Sequence, residues 1–119
     1  MNNESIDDLT VHFEDDNGNV IVRELDKVVL SRGAWTTILF RYQDYRPKTD
    51  DYSPDKYSLR RYKKTAGVYR AQSKFNISSP EQAHKIIDAL SAWLKDAEQD
   101  TTVSGQHSDE MIEELMSMD

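Results

Sequence analysis

Five basic residues and three tyrosines lie among the fourteen positions of the segment YSLRRYKKTAGVYR, residues 57–70, which contains no acidic residue. Lysine and arginine neutralise phosphate groups, and tyrosine rings offer flat surfaces on which unpaired bases stack. The segment therefore predicts contact with a single-stranded nucleic acid. Because the whole chain has a net charge of −7, this concentration of positive charge is a local property.

The charge is divided unevenly along the chain. Residues 1–20 hold six carboxylates and no Lys or Arg, whereas residues 21–75 hold thirteen basic against six acidic side chains. Residues 76–119 hold two basic side chains against ten acidic ones, and all six tyrosines fall in the middle part. A basic segment between two acidic segments favours a polyanion-binding surface over a uniformly solvated acidic protein.

Signatures of catalysis are absent from the sequence. It contains no glycine-rich phosphate loop, no His-Glu-x-x-His pattern, no nucleophile elbow and no cysteine. Asp50, Asp51 and Asp55 could bind a divalent ion for nuclease chemistry, but their proline-containing loop with basic neighbours favours a solvated loop. We therefore expect a binding protein rather than an enzyme, with no cofactor and no metal site.

The cellular location follows from what the sequence lacks. No apolar run approaches the length needed to cross a bilayer, and the first residues do not resemble a signal peptide. The absence of cysteine fits a reducing compartment. These features predict a cytoplasmic protein that is associated with the nucleoid or with replication.

Alternating apolar residues and turn signals predict a series of β-strands. Asn17-Gly18 and Ala66-Gly67 each suit a tight turn between two strands, because glycine adopts positive φ without strain. The most strand-like segment is 35–45, which is rich in β-branched and aromatic residues. The predicted strands are 10–14, 20–25, 27–31, 35–45, 57–64 and 69–77, of which 20–25 and 27–31 could be continuous.

One amphipathic helix is predicted after the last strand. Ser79 can cap its first turn, Pro80 suits the first helical position, and apolar residues then recur every three or four positions. The apolar stripe is wide for one small sheet to cover, so a second copy of the chain is expected to bury part of it. The predicted homodimer contacts are Ile87, Leu90, Trp93 and Leu94.

These elements predict an α+β fold with an antiparallel sheet of about four strands, an N-terminal hairpin and one helix. Residues 1–9 are expected to form a disordered leader, and residues 10–97 the nucleic-acid-binding domain. Residues 98–119 read as a flexible acidic tail, in which apolar residues of the stretch 109–118 have helical spacing. That stretch could compete with nucleic acid for the basic surface or dock on a replication, recombination or transcription protein.

Side chains of a strand alternate between two faces, so the three central strands can be divided into inward and outward sets. The residues expected to point inward are Ile38, Phe40, Tyr42, Tyr57, Leu59, Ala71, Phe75 and Ile77. The outward set contains no Asp or Glu, which favours a nucleic-acid surface over a plain solvated face. The predicted contacts, with two cations from the preceding segment, are Lys27, Arg32, Trp35, Arg41, Tyr45, Arg60, Tyr62, Lys64, Arg70 and Lys74.

The segment Ile77-Ser78-Ser79-Pro80-Glu81-Gln82 resembles the strand-to-helix turn of the positive cofactor four-like transcription coactivator family, in a bacterial or phage-type version. The upstream segment GAWTTILFRYQDY also resembles this family, with Tyr42 at its aromatic position, and the resemblance covers roughly residues 24–95. It implies a four-stranded sheet with one helix, a homodimer, and sequence-independent binding of single-stranded DNA or melted duplex. Gln43 replaces the family's tryptophan, so base stacking would fall to Tyr45, Tyr62 or Trp35.

The sequence thus predicts a homodimeric, sequence-independent single-stranded DNA-binding protein of replication, recombination or transcription. Two alternatives remain open. An RNA-binding protein would use the same platform, because stacking and phosphate contacts do not separate the two sugars. A protein-interaction adaptor would instead dock through its acidic tail, and its basic face would be incidental.

Overall fold

A computed structural model describes residues 3–99 of the chain as an antiparallel sheet followed by one helix. The strand order is β1-β2-β3-β5-β6, and β4 pairs with β3. This confirms the α+β class and the single helix after the strands. The predicted tail segment 109–118 lies outside the described residues. The elements are β1 (Phe13–Glu14), β2 (Val20–Ser31), β3 (Trp35–Arg46), β4 (Asp51–Tyr52), β5 (Lys56–Thr65), β6 (Val68–Ile77) and α1 (Pro80–Gln99).

Both predicted tight turns are confirmed. At the β1–β2 turn Gly18 has a φ of 82°, and the Asp15 carboxylate accepts hydrogen bonds from the backbone N–H groups of Asn19 and Asn17. The Asn19 hydrogen bond in particular lowers the pKa of Asp15. At the β5–β6 turn Ala66 and Gly67 both have positive φ, as a type I′ hairpin turn requires. Local sequence signals therefore place both hairpins correctly.

The hydrophobic core lies on one side of the sheet, which we call the core face. Its centre is formed by Ile38 and Phe40 of β3, which are completely buried. Leu9 and Val11 of the N-terminal segment pack against the same cluster. The remaining core side chains come from three strands and are Tyr42, Tyr62 and Tyr69.

The N-terminal segment is ordered where the structure describes it, so the prediction of a disordered leader is wrong for residues 3–9. Leu9 is 1% exposed, and the preceding residues Ile6–Asp8 form a 3₁₀ turn. The Lys27 ammonium donates hydrogen bonds to the carbonyls of Ile6, Asp7 and Leu9, at 3.1, 3.3 and 2.8 Å. Too few apolar residues occur in this acidic stretch to produce a periodic pattern, which is why the sequence did not reveal its burial.

Helix α1 begins at Pro80, as predicted, and ends at Gln99, two residues beyond the predicted end of the domain at 97. Its apolar stripe is exposed in the single chain, and Trp93 reaches 69% exposure. No helix among residues 3–99 is both long and apolar enough to cross a membrane.

Candidate nucleic-acid interface

The sheet has a second surface, opposite the core face, which we call the outer face. It carries Trp35, Leu39 and Arg41 of β3, because these alternate with the buried residues of that strand. Residues directly opposite each other on antiparallel strands point to the same side of the sheet. The register therefore assigns each side chain of β5 to a face: Trp35 lies opposite Lys63, and Thr37 opposite Arg61.

The predicted division of β5 into inward and outward residues is wrong. Tyr62 lies opposite the buried Thr36, and Arg60 lies opposite the buried Ile38, so both belong to the core face. Lys64 is on the core face as well, opposite Tyr69. Tyr57 and Leu59, which were predicted to point inward, lie on the outer face opposite Arg41 and Leu39.

A β-bulge in β6 distributes its two cations between the faces. Arg61 pairs with Ser73 and Tyr62 with Ala71, so Gln72 is an extra residue that interrupts the alternation. Arg70 consequently lies on the outer face, opposite Lys63, whereas Lys74 lies on the core face. The register also places Phe75 and Ile77, which were expected to point inward, on the outer face.

Two predicted contact residues are engaged in interactions within the protein. Tyr62 is 6% exposed, and its burial raises the pKa of the phenol above its ordinary value. Its ring is therefore not available for stacking on a base. The Lys27 ammonium is occupied by its three main-chain carbonyls, so it contributes to the fixation of the N-terminal segment.

An apolar row crosses the middle of the outer face. Val28, Leu39, Leu59 and Phe75 are directly opposite one another on four neighbouring strands. Val28 and Phe75 are about half exposed, and the other two are partly buried. The row divides the outer face into two ends of different charge.

One end of the outer face contains a group that we call the Trp35 cluster, formed by Trp35, Arg61, Lys63 and Arg70. The indole is 42% exposed. The Arg61 guanidinium carbon lies 4.4 Å and the Lys63 ammonium 5.1 Å from the ring centroid, within the range of cation–π contacts. The cluster thus places two cationic groups next to an exposed aromatic ring. Arg32, in the turn before β3, is also exposed.

The opposite end carries Tyr45, which the sequence predicted as a stacking residue. Its hydroxyl donates a 2.6 Å hydrogen bond to Asp50, and this bond raises the pKa of Tyr45. Its ring meets Tyr52 edge to face at a centroid distance of 5.8 Å, and the Arg23 guanidinium covers the Tyr52 ring at 3.7 Å. Tyr45 is therefore half-buried and lies beside a carboxylate, which disfavours phosphate.

An acidic residue neutralises a cation at the Tyr45 end, where Arg41 pairs with Asp55 at 3.2 Å. At the same end of the sheet, but on the core-face side by their alternation, Arg46 pairs with Asp51 at 2.9 Å and Lys56 with Asp44 at 2.6 Å. Asp26 also lies opposite Arg41, so the outer face is not free of acids as predicted. By contrast, Lys63 and Arg70 form no ion pair with any residue in the described range 3–99. The uncompensated positive charge is concentrated at the Trp35 end.

The three loop carboxylates that were considered as metal ligands bond to different partners. Asp50 accepts from Tyr45, Asp51 from Arg46 and Asp55 from Arg41. Within residues 3–99 no three side chains of the metal-binding types are grouped closely enough to hold an ion.

Sequence reasoning missed Arg61 and Lys63 as outer-face residues. Their spacing to Trp35 along the chain gives no indication of contact, because the contact depends on the register of β3 against β5. Comparison of the chain with protein-family models, curated proteins and solved structures finds no match.

Proposed function

We propose that the chain binds single-stranded DNA, without sequence preference, through the Trp35 cluster. The observation that carries the proposal is the half-exposed Trp35 indole, which lies within cation–π distance of Arg61 and Lys63. Aromatic rings beside basic groups are the general means by which proteins bind unpaired strands of any sequence. The resemblance to the positive cofactor four-like family implies the same activity.

The cluster supplies the two interactions that such binding needs. A base stacks on the indole or on the plane of the Arg61 guanidinium, and phosphates contact Lys63 and Arg70. Lys63 and Arg70 are directly opposite each other, so two cations are held at one position of the sheet without an ion-paired carboxylate in the described range. The neighbouring apolar row, from Val28 to Phe75, extends the surface on which bases pack.

Trp35→Ala is expected to weaken binding by about 1–3 kcal/mol, the contribution of one stacked base. The slope of log affinity against log salt should stay unchanged, because no phosphate contact is removed. Fluorescence anisotropy of a labelled oligothymidylate, measured at several salt concentrations, gives both quantities. Phe13→Ala is the matched control, since Phe13 is also an exposed aromatic residue and lies on β1, outside the Trp35 cluster.

An equal loss of DNA affinity in the Trp35→Ala and Phe13→Ala variants would contradict the stacking of a base on Trp35. The same assay with DNA and RNA oligonucleotides of identical sequence decides between the two nucleic acids. Nothing in the Trp35 cluster recognises a 2′-hydroxyl specifically, so the RNA-binding alternative remains an outcome of this experiment.

We further propose that the chain forms a homodimer through the apolar stripe of α1. Four apolar residues of this helix are exposed in the single chain, more than a surface helix usually presents to water. An identical stripe on a second copy is self-complementary, as a two-fold dimer requires. These residues are Ile87, Leu90, Trp93 and Leu94.

Trp93→Asp is expected to convert the dimer into a monomer at micromolar concentration, because a carboxylate would be buried in the interface without a partner. Light scattering coupled to size-exclusion chromatography measures the mass. Lys95→Asp changes the same helix outside the apolar stripe and should leave the dimer intact. A wild-type mass equal to one chain would contradict the dimer.

A further inference from the structure

The β5–β6 hairpin carries cations on both faces of the sheet. Residues 56–77 contain no Asp or Glu. Lys63 lies opposite Arg70 on the outer face, and Arg60 lies opposite Lys74 on the core face. Like charges placed directly opposite each other repel and destabilise a sheet. A bound anion would relieve the repulsion in both pairs.

Among the described residues 3–99, no carboxylate relieves that repulsion. None of Arg60, Lys63, Arg70 and Lys74 forms an ion pair within residues 3–99. Strand β6 is the last strand of the sheet, and no other described strand pairs with its free edge. The N-terminal segment reaches β6 at one point, where the Tyr69 N–H donates to the Asn3 carbonyl. An external anion therefore has access to cations on both sides of this edge.

Arg60 of the core-face pair is held in place by hydrogen bonds. Arg60 Nε donates to the hydroxyl of Ser58 at 3.2 Å, and this hydroxyl donates to the Asn76 side-chain oxygen at 2.8 Å. Ser58 is completely buried, so the Arg60 side chain is anchored at a fixed point. Phosphate oxygens accept hydrogen bonds only, so they match the guanidinium of Arg60 and the ammonium of Lys74.

We propose that a bound single strand passes over the free edge of β6, so that its phosphates contact the Lys63–Arg70 pair on the outer face and the Arg60–Lys74 pair on the core face. This inference rests on the proposed function and adds the path of the strand, which straddles an edge instead of lying on one face. Arg70 and Lys74 are four residues apart, about 13 Å along the strand. A few nucleotides span that distance.

Lys74→Glu tests this path, because it should change stability and binding in opposite directions. The new carboxylate lies opposite Arg60 and replaces repulsion by attraction, so the melting temperature should rise by about 2–4 °C. Binding of an oligothymidylate of about 20 nucleotides should weaken about tenfold, with a salt slope lower by about 0.7. A strand of about 5 nucleotides contacts only the Trp35 cluster, so its affinity should fall less than about twofold.

Lys95→Glu on α1 is the matched control, because it changes the net charge of the chain by the same amount. Equal weakening by Lys74→Glu and Lys95→Glu at both lengths would overturn the proposed path, as would an equal effect of Lys74→Glu on the short and the long strand. In either case the proposed function stands, provided that the wild-type chain binds both strands. Absence of wild-type binding would refute the proposed function and the path together.

Discussion

The double reversal Lys63→Glu with Arg70→Glu should weaken single-stranded DNA binding at least about 100-fold, which corresponds to about 2.8 kcal/mol. Both side chains lie at the Trp35 end of the outer face, opposite each other and without an ion pair in the described range. Each phosphate contact on a single strand contributes about 0.7 to the salt slope, so the slope should fall by about 1.4. Anisotropy titrations at several salt concentrations measure both changes.

The control for this double variant is Lys48→Glu with Lys95→Glu, which alters the net charge equally. Lys48 lies in the loop after β3, and Lys95 lies on α1. If the control pair loses as much affinity as the hairpin pair, binding depends on the overall charge of the chain and not on the outer face. Lys48 and Lys95 lie outside the Trp35 cluster, whereas Lys63 and Arg70 lie together in it. We therefore expect the affinity of the control variant for single-stranded DNA to fall less than about threefold.

Tyr62→Ala should lower the free energy of unfolding by about 3–5 kcal/mol, the usual cost of removing a large buried aromatic side chain. Tyr62 packs in the core cluster with Ile38 and Phe40. The sequence alone had made this residue a base-stacking contact, for which truncation would have changed affinity and left stability intact. Chemical denaturation, monitored by circular dichroism, measures the free energy of unfolding of the wild type and of the Tyr62→Ala variant.

Two further variants separate packing from binding at this position. Tyr62→Phe keeps the ring in the core and should retain most of the stability and all of the DNA affinity. Phe75→Ala removes a ring that is 50% exposed, so its effect on stability should be below about 2 kcal/mol. A Tyr62→Ala chain that is as stable as wild type but does not bind DNA would contradict the assignment of Tyr62 to the core.

The elements that local signals determine were predictable from the sequence. Gly18 and Gly67 mark the two tight hairpin turns, and Pro80 marks the start of α1. Each of these signals acts through the backbone of the residue itself or its immediate neighbours, so no tertiary information is needed. The α+β class followed from the strands and the single helix that these signals delimit.

The assignment of faces was not predictable, because both faces of the sheet carry apolar side chains. Leu59 belongs to the apolar row of the outer face, whereas its neighbour Ser58 is completely buried in the core face. Side chains of a strand alternate with a period of two, so the sequence shows which residues share a face. It does not show which of the two faces is the core. The bulge at Gln72 then reverses the alternation within β6, and nothing in the local sequence marks its position.

The site itself depends on register, which explains why it was only partly found. Trp35, Arg41, Tyr45 and Arg70 were expected on a binding surface and do lie on the outer face. Arg61 and Lys63 join Trp35 because β3 and β5 align at that point. The Arg41–Asp55 ion pair, which neutralises a cation at the Tyr45 end, is brought together by the same alignment.

The most direct test of the proposed function is an anisotropy titration of a labelled oligothymidylate of about 20 nucleotides with the full chain, at salt concentrations from about 50 to about 300 mM. The charge of the Trp35 cluster predicts saturable binding whose log affinity falls linearly with log salt. Duplex DNA of the same length should bind more weakly, because its bases are not free to stack on Trp35. No binding of the single strand at the lowest salt concentration would contradict the proposal and leave the outer face as a protein-interaction surface.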